Sequence, residues 1–107
     1  MSANIQKILK KLKKELLHTY GEKNVESIIL YGSRARGDAR DDSDIDILVV
    51  MNKEFNYSEM LRLSSQLVST LSLENDVVIS RAFVTKTQYD KLQIPFLMNV
   101  RREGVPV

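Results

Sequence analysis

The residues best suited to chemistry lie in one short segment, between Gly32 and Asp46. A glycine-serine pair, Gly32-Ser33, follows an apolar run, and after ten residues Asp44 and Asp46 alternate at the start of another apolar run. Glycine lets the backbone come close to a ligand or take a positive φ, and the N–H groups of a following helical turn favour anions. Two carboxylates at this spacing on a strand lie on one face, with Cα atoms roughly 6–7 Å apart. The segment therefore predicts a site that positions phosphate and holds divalent metal.

The predicted metal ligands are Asp44 and Asp46. Mg²⁺ binds through one or two carboxylates and fills its other positions with water and substrate phosphates. Two such ions, roughly 3.5–4 Å apart, can stabilise the attacking and leaving oxygens of a phosphoryl displacement. The alternative is an acidic surface loop neutralised by nearby arginines. That alternative accounts poorly for Asp46, because Asp46 interrupts an apolar strand where an unpaired charge is costly.

A two-metal site usually has a third carboxylate, which serves as a ligand and as the proton acceptor for the attacking hydroxyl. Asp76 is the candidate, because it opens a predicted third strand over 76–80. It would lie beside Asp44 and Asp46 if that strand pairs with the second one. Glu74 precedes the strand and is the nearest competitor. The alternative for Asp76 is a simple turn residue.

Two arginines, Arg34 and Arg36, flank the glycine-serine turn. A guanidinium group matches phosphate oxygens and stabilises charge that develops on a transferring nucleotide. The arginines could instead pair with the neighbouring aspartates, and both roles can coexist. Of the two, we favour Arg36 as the phosphate ligand.

Helix and strand patterns alternate along the chain. The predicted elements are a helix over 5–20 ended by Gly21, strands over 25–31 and 45–51, a helix over 58–71, a strand over 76–80, and helices over 87–93 and 95–104. The cap of the middle helix is open between Asn56 and Ser58, and residues 81–86 either extend the third strand or turn away. The pattern predicts an α/β or α+β fold, a small mixed sheet covered by helices on one side.

The second predicted strand has two distinct faces. Side chains alternate along a strand, so Asp46, Leu48 and Val50 share one face. The odd-numbered residues from 45 to 49 share the other.

Size and composition narrow the class of protein. The 107 residues suit a single domain, 1–107, with a net charge of +2 that does not argue for nucleic-acid binding by itself. The chain has no cysteine and one histidine, His18, which excludes disulfides and thiolate metal sites and leaves little for a Ser-His-Asp triad. We expect neither a membrane span nor a secretory signal at Met1, and we expect a cytoplasmic protein.

The central motif resembles that of a known superfamily. Gly32-Ser33, ten intervening residues and Asp44-Ile45-Asp46 resemble the signature of the nucleotidyltransferases that include DNA polymerase β. The compact form, Gly-Ser-Arg-Ala-Arg-Gly followed by Ser-Asp-Ile-Asp-Ile-Leu-Val, is similar to the minimal nucleotidyltransferases of bacteria and archaea. The closing segment 97–105 is similar to their C-terminal helix. The resemblance therefore covers essentially the whole chain and implies a polymerase β-like fold.

The resemblance also implies an activity. Minimal nucleotidyltransferases of this kind are antitoxins encoded beside a helical HEPN-domain RNase toxin, and they transfer AMP from ATP to a tyrosine hydroxyl of that toxin. By this resemblance Gly32 and Ser33 would grip the triphosphate. Two Mg²⁺ ions would bind Asp44 and Asp46, with Asp76 as the third ligand and the base. The expected nucleotide-binding set is Gly32, Ser33, Arg34, Arg36 and Ser43.

Two other readings of the sequence stay open. An antitoxin could neutralise its toxin by stoichiometric binding, with the site a relic. A nucleotidyltransferase could instead act on a small molecule or on RNA, although this short chain has no second domain to hold such a substrate. A protein partner that presents a hydroxyl across the site would supply the missing binding surface and complete the geometry of the reaction.

Overall fold

The computed structural model describes residues 3–107, and within that range strands and helices alternate as the sequence predicts. Met1, where no secretory signal was expected, lies outside the described residues with Ser2. The helices are α1 (Ala3–Tyr20), α2 (Ser33–Arg36), α3 (Tyr57–Asn75), α4 (Lys86–Lys91) and α5 (Pro95–Glu103), with a 3₁₀ turn at Glu22–Asn24. The strands are β1 (Val25–Tyr31), β2 (Ile45–Met51), β3 (Ile79–Thr85) and β4 (Val105–Pro106).

The four strands form one mixed sheet in the order β3-β2-β1-β4. β1 is antiparallel to both β2 and β4, and β2 is parallel to β3. The predicted mixed sheet is therefore confirmed. Its register places Tyr31 opposite Asp46 across the β1–β2 pair and Ser80 beside Asp46 across the β2–β3 pair.

One face of the sheet carries the larger hydrophobic core. The long helices α1 and α3 pack there against Ile45, Ile47 and Val49 of β2, all fully buried. α1 buries side chains three and four residues apart, which is the stripe expected of an amphipathic helix. It ends at Gly21, whose φ of 90° suits glycine after a helix C-terminus. The predicted first helix and the two-faced second strand are confirmed.

The other face of the sheet is covered by α5, so the expectation of helices on one side only was wrong. Leu97 and Val100 of α5 pack on Ile29, Leu48 and Val50. Their spacing of three residues places both on one side of a short helix, which is enough to cover the strand centres. Asp46 lies at the end of the same face.

The third strand begins later than predicted. α3 continues to Asn75, and Asp76 then takes a left-handed conformation with φ 50° as the residue that ends the helix. β3 therefore runs over Ile79–Thr85, not 76–80, and residues 81–85 extend the strand. The sequence Asp-Val-Val-Ile resembles the start of a strand, but pairing with β2 determines where the strand begins.

Side-chain caps settle the helix boundaries that were left open. The Asn56 side chain accepts a hydrogen bond from the Glu59 N–H at 3.0 Å, so Asn56 caps α3 and Ser58 does not. Thr85 and Gln88 form a capping box that starts α4 at Lys86, one residue before the predicted start. None of the described helices is long and apolar enough to span a bilayer.

The packing of α5 gives a test of the fold. Leu97 is fully buried whereas Met98, its neighbour on the same helix, is 46% exposed. We expect Leu97→Ala to lower the free energy of unfolding by about 2–5 kcal/mol, through lost burial and the cavity that remains. The matched change Met98→Ala should cost less than about 1 kcal/mol. Equal losses in chemical denaturation would contradict the assigned packing of α5.

Candidate functional site

The Asp46 carboxylate lies directly against the backbone of Gly32. Gly32 follows the last residue of β1 with φ 76° and ψ −159°, a conformation that favours glycine. A Cβ placed on Gly32 would come within 2.5 Å of Asp46 Oδ2, closer than a real contact allows. The glycine is therefore needed twice, for its backbone conformation and for the space that the carboxylate occupies.

The turn after Gly32 has a fixed shape. The N–H groups of Ala35 and Arg36 both donate to the Gly32 carbonyl at 3.1 Å, and Gly37 ends the turn with φ 85°. The first N–H groups of a helical turn have no acceptor within that turn. Those of Ser33 and Arg34 directly follow Gly32, the residue that lies against the Asp46 carboxylate, and are suited to an anionic group.

Asp44 and Asp46 form the acidic part of the site. Burial, and then the negative charge of Asp44, raise the pKa of the Asp46 carboxyl. Asp44 is exposed and directly precedes β2. Burial raises the pKa of the Tyr31 hydroxyl, with a further contribution from the charge of Asp46 opposite it. A cation between the two carboxylates would offset their negative charge and so lower the pKa values of Asp46 and Tyr31.

A divalent cation fits this pair of carboxylates. Mg²⁺ takes oxygen ligands, and one or two carboxylates together with phosphates and water make a common coordination set. The pair supplies two carboxylates. We call the contact of the Asp46 carboxylate with the backbone of Gly32, where the absence of a Cβ leaves room for the carboxylate, the Gly32 cradle. Across residues 3–107 no three acidic or histidine side chains are grouped so that they could hold a metal ion.

Arg34 and Ser43 stabilise the loop that leads into β2. The Arg34 guanidinium donates to the Ser43 carbonyl through Nε at 3.2 Å and through Nη2 at 2.8 Å, and to the Asp41 carbonyl at 3.3 Å. The Ser43 hydroxyl accepts from the Arg40 N–H at 2.8 Å. Both predicted nucleotide ligands thus have structural contacts that position Asp44, the residue after Ser43.

Arg36 connects the turn to the C-terminal helix. It forms ion pairs with Asp38 at 3.2 Å and with Glu103 of α5 at 3.4 Å. Pairing of this arginine with a neighbouring aspartate, the alternative considered from the sequence, is therefore present. Glu103 was not expected at the site, and no local signal marks a residue so distant along the chain.

A small cavity of about 160 Å³ opens beside Gly32. Tyr31, Phe96 and Asn99 are among its lining residues, and the Tyr31 and Phe96 rings meet edge to face with centroids 5.3 Å apart. Sequence reasoning did not single out Tyr31. Its position before Gly32 and opposite Asp46 in an antiparallel pair could have indicated it.

Asp76 is not beside Asp44 and Asp46 in the way the sequence predicted. It is exposed, it ends α3, and it lines a groove of about 550 Å³ with Asp41 and Asp42. It belongs to the turn before β3 and so has no place in the β2–β3 register. The predicted arrangement of three carboxylates from neighbouring strands was wrong, because the strand that was to carry Asp76 starts three residues later.

Comparison with known protein families identifies a match along most of the chain. The family model described as "Polymerase beta, Nucleotidyltransferase" matches residues 4–100. A provisional protein adenylyltransferase of Methanocaldococcus jannaschii is 31% identical over 103 residues, which is 96% of this chain and 98% of that protein. The protein adenylyltransferase MntA of Thermococcus cleftensis is 37% identical over 75 residues, 70% of this chain and 73% of that protein.

Solved structures share the fold. A mutant of the toxin-antitoxin MntA-HpeT matches with a TM-score of 0.63 at 21% identity, over 92% of this chain and 70% of that chain. A toxin-antitoxin structure with AMP-PNP matches with a TM-score of 0.57 at 23% identity, over 88% of this chain and 68% of that chain. At these identities the likeness concerns the fold alone.

The Gly32 cradle can be tested with a matched pair of glycines. Gly32 and Gly37 both have positive φ, but a Cβ on Gly37 would meet nothing within 4 Å. Both alanine variants should lose about 1 kcal/mol of stability from backbone strain, and Gly32→Ala must in addition displace the Asp46 carboxylate. Only Gly32→Ala should also weaken Mn²⁺ binding in the presence of ATP, by about tenfold or more, which is about 1.4 kcal/mol. Calorimetric titration measures the affinity for Mn²⁺. Equal affinities of the two variants would contradict a role of the Gly32–Asp46 contact in binding the ion.

The raised pKa of Asp46 predicts that replacing its carboxylate by a neutral amide stabilises the fold, and that the gain depends on pH. A carboxyl whose folded-state pKa is raised makes the folded state less stable as pH rises through that pKa. In chelator at neutral pH, Asp46→Asn should therefore raise Tm by roughly 2–4 °C, since the relieved repulsion is partly screened. The difference should vanish in acid, where the natural carboxyl is protonated. A thermal melt series from pH 3 to pH 8 measures this, and a lower Tm for the variant at neutral pH would contradict it.

Proposed function

Because the chain belongs to the polymerase beta nucleotidyltransferase family, we propose that it is a Mg²⁺-dependent protein adenylyltransferase and an antitoxin. It transfers AMP from ATP to a tyrosine hydroxyl of a HEPN-domain RNase toxin and thereby neutralises that toxin. The names of the relatives support adenylyl transfer to protein. The toxin-antitoxin structures with the same fold support the biological setting.

The single observation that carries the proposal is the contact between Gly32 and Asp46. It joins the turn suited to phosphate with the carboxylates suited to a divalent cation, in a site where a Cβ would not fit. A nucleoside triphosphate carries phosphates and a bound Mg²⁺, so one ligand satisfies both parts of the site. In the proposal, Gly32 and Ser33 contact the phosphates through the turn, and Asp44 and Asp46 hold the ion.

The reaction is a displacement at the α-phosphorus. The tyrosine oxygen forms a bond to that phosphorus, the bond from the phosphorus to the oxygen bridging to the β-phosphate breaks, pyrophosphate leaves, and the hydroxyl proton passes to solvent water. Bound Mg²⁺ would supply electrostatic stabilisation of the phosphate oxygens. Arg34 keeps the loop before β2 in place and so orients Asp44 toward the nucleotide, while the turn after Gly32 fixes the path of the phosphates.

A protein acceptor agrees with the surface around the site. Phe96 lines the cavity beside Gly32 and is 38% exposed, and Met98 on the same helix is 46% exposed. Apolar side chains at the edge of a small site are suited to contact with a partner. The proposal therefore includes a complex between the chain and its toxin, formed in the cytoplasm, where ATP is available.

A second candidate is an antitoxin that neutralises by binding alone. It is favoured by one observation: the described residues group only two acidic side chains at the site, so the centre for transfer is incomplete by comparison with a three-carboxylate site. In this candidate the chain occupies the toxin surface and turnover is not needed.

Transfer of labelled AMP tests the first proposal. Incubation of the chain with ATP labelled at the α-phosphate, Mg²⁺ and the proposed HEPN-domain toxin should yield labelled toxin. Asp44→Asn should reduce the label by at least about 100-fold, as expected for loss of a metal ligand at a phosphoryl-transfer centre. Asp42 is an exposed acidic residue in the same loop, and the variant Asp42→Asn should transfer AMP as well as the natural chain. Equal labelling with Asp44→Asn would contradict the proposed chemistry.

The same variants separate the two candidates in cells. Under adenylyl transfer, a chain with Asp44→Ala and Asp46→Ala does not rescue growth from the toxin. Under neutralisation by binding alone, the double variant rescues growth as the natural chain does, provided that it still forms a complex with the toxin on gel filtration.

A further inference from the structure

The sheet register indicates how many ions this site can hold. We infer that the residues of this chain bind one divalent ion together with the nucleotide, and that the carboxylate needed for a second ion is missing from β3. The inference rests on the proposed function, because it concerns the same nucleotide site. It differs from the two-ion site expected from the resemblance.

The neighbours of Asp46 on the sheet are not acidic. Asp46 lies between Tyr31 of β1 and Ser80 of β3, one on each side. Laterally paired residues point to the same face, and paired strands lie roughly 4.8 Å apart. A carboxylate on β3 that shares an ion with Asp46 would therefore have to come from Ser80 or from a position two residues away along the strand.

The positions two residues away from Ser80 are not acidic either. Val78 precedes β3, its carbonyl accepts a hydrogen bond from the Ile45 N–H at 2.8 Å, and its side chain is 59% exposed. Extending the register by one residue places Val78 beside Asp44. Ala82 lies beside Leu48 and packs in the apolar cluster under α5. Serine and alanine thus occupy the first two positions of β3 on the face of Asp46, and valine occupies the position just before the strand.

The other acidic residues near the site are used elsewhere. Asp76 ends α3 and lines the groove with Asp41 and Asp42, outside the β2–β3 register. Glu103 reaches the site from α5, but its carboxylate forms ion pairs with Arg36 and Arg102, both at 3.4 Å. Neither residue is free to join Asp44 and Asp46 without breaking a contact or moving a helix end.

Two carboxylates are sufficient for one ion. Mg²⁺ held by one or two carboxylates completes its coordination with phosphates and water, and this is how nucleotide-bound Mg²⁺ is usually held. A second ion roughly 3.5–4 Å from the first needs additional negative ligands to offset repulsion between two divalent charges. Since β3 offers no such ligand beside Asp44 and Asp46, the pair completes the coordination of one ion only.

Equilibrium dialysis with Mn²⁺ and an ATP analogue that carries a methylene bridge between the α- and β-phosphates counts the ions without turnover. At saturation, the protein chamber should retain one Mn²⁺ for each retained nucleotide. Two Mn²⁺ for each nucleotide would overturn the inference and leave the proposed function standing. Absence of retained nucleotide would overturn the proposed function, and the inference with it.

Substitutions on β3 locate the missing ligand. Ser80→Asp or Val78→Asp should raise the retained ratio from one to two, whereas the matched changes Ser80→Asn and Val78→Asn should leave it at one. Circular dichroism and one retained nucleotide per chain show that each variant is folded and loaded. If neither aspartate variant retains a second ion, β3 is not what limits the count and the inference fails. A ratio of two in the asparagine variants would also overturn it.

Discussion

The packing of the Asp46 carboxylate against the Gly32 backbone is the contact on which the site depends. It requires a positive φ and the absence of a Cβ at one position, and a strand register that brings Asp46 opposite Tyr31, the residue before that glycine. The antiparallel β1–β2 pair supplies the register. The turn after Gly32 then follows from the same geometry, because two N–H groups close on the glycine carbonyl. The turn proposed to bind phosphate and the strand proposed to hold the cation are thus parts of one local structure.

The strand that carries Asp46 also holds the fold together. Its odd-numbered residues from 45 to 49 are buried under the two long helices, and Leu48 and Val50 are buried under α5. A central strand with both faces buried is rigid, which suits a site whose ligands must stay in place. The strand also carries a partly buried carboxylate, Asp46, whose pKa is raised by burial and by the charge of Asp44.

Two of the positive charges near the site, Arg34 and Arg36, are committed to contacts within the chain. Arg34 holds the loop carbonyls before Asp44, and Arg36 pairs with Asp38 and Glu103. Asp44 and Asp46 are left without a described arginine or lysine partner within salt-bridge distance. The residue of β3 that stands beside Asp46 is Ser80, which carries no charge.

Much of the local structure could be predicted from the sequence. The apolar spacing of α1, the alternation along β2, the glycine-serine turn and the pair Asp44 and Asp46 depend on neighbours within a few residues, so a pattern of letters is enough to indicate them. The resemblance built on that motif agrees with the family match over residues 4–100. Asn56 and Ser58 were equally good caps by type, and only the hydrogen bond to the Glu59 N–H distinguishes them.

Tertiary structure decided the features that depend on pairing between distant segments. Asp76 resembled the first residue of a strand, yet α3 continues to Asn75 and β3 starts at Ile79, because the strand begins where its backbone can pair with β2. The contact between Arg36 and Glu103 joins residues too far apart for any local pattern to show. The sequence by itself determined which residue types form the turn and the acidic pair, since those need only local spacing. The register of β3, and therefore the number of carboxylates that meet at the site, was decided by the fold, since a shift of one or two residues changes which side chains face it.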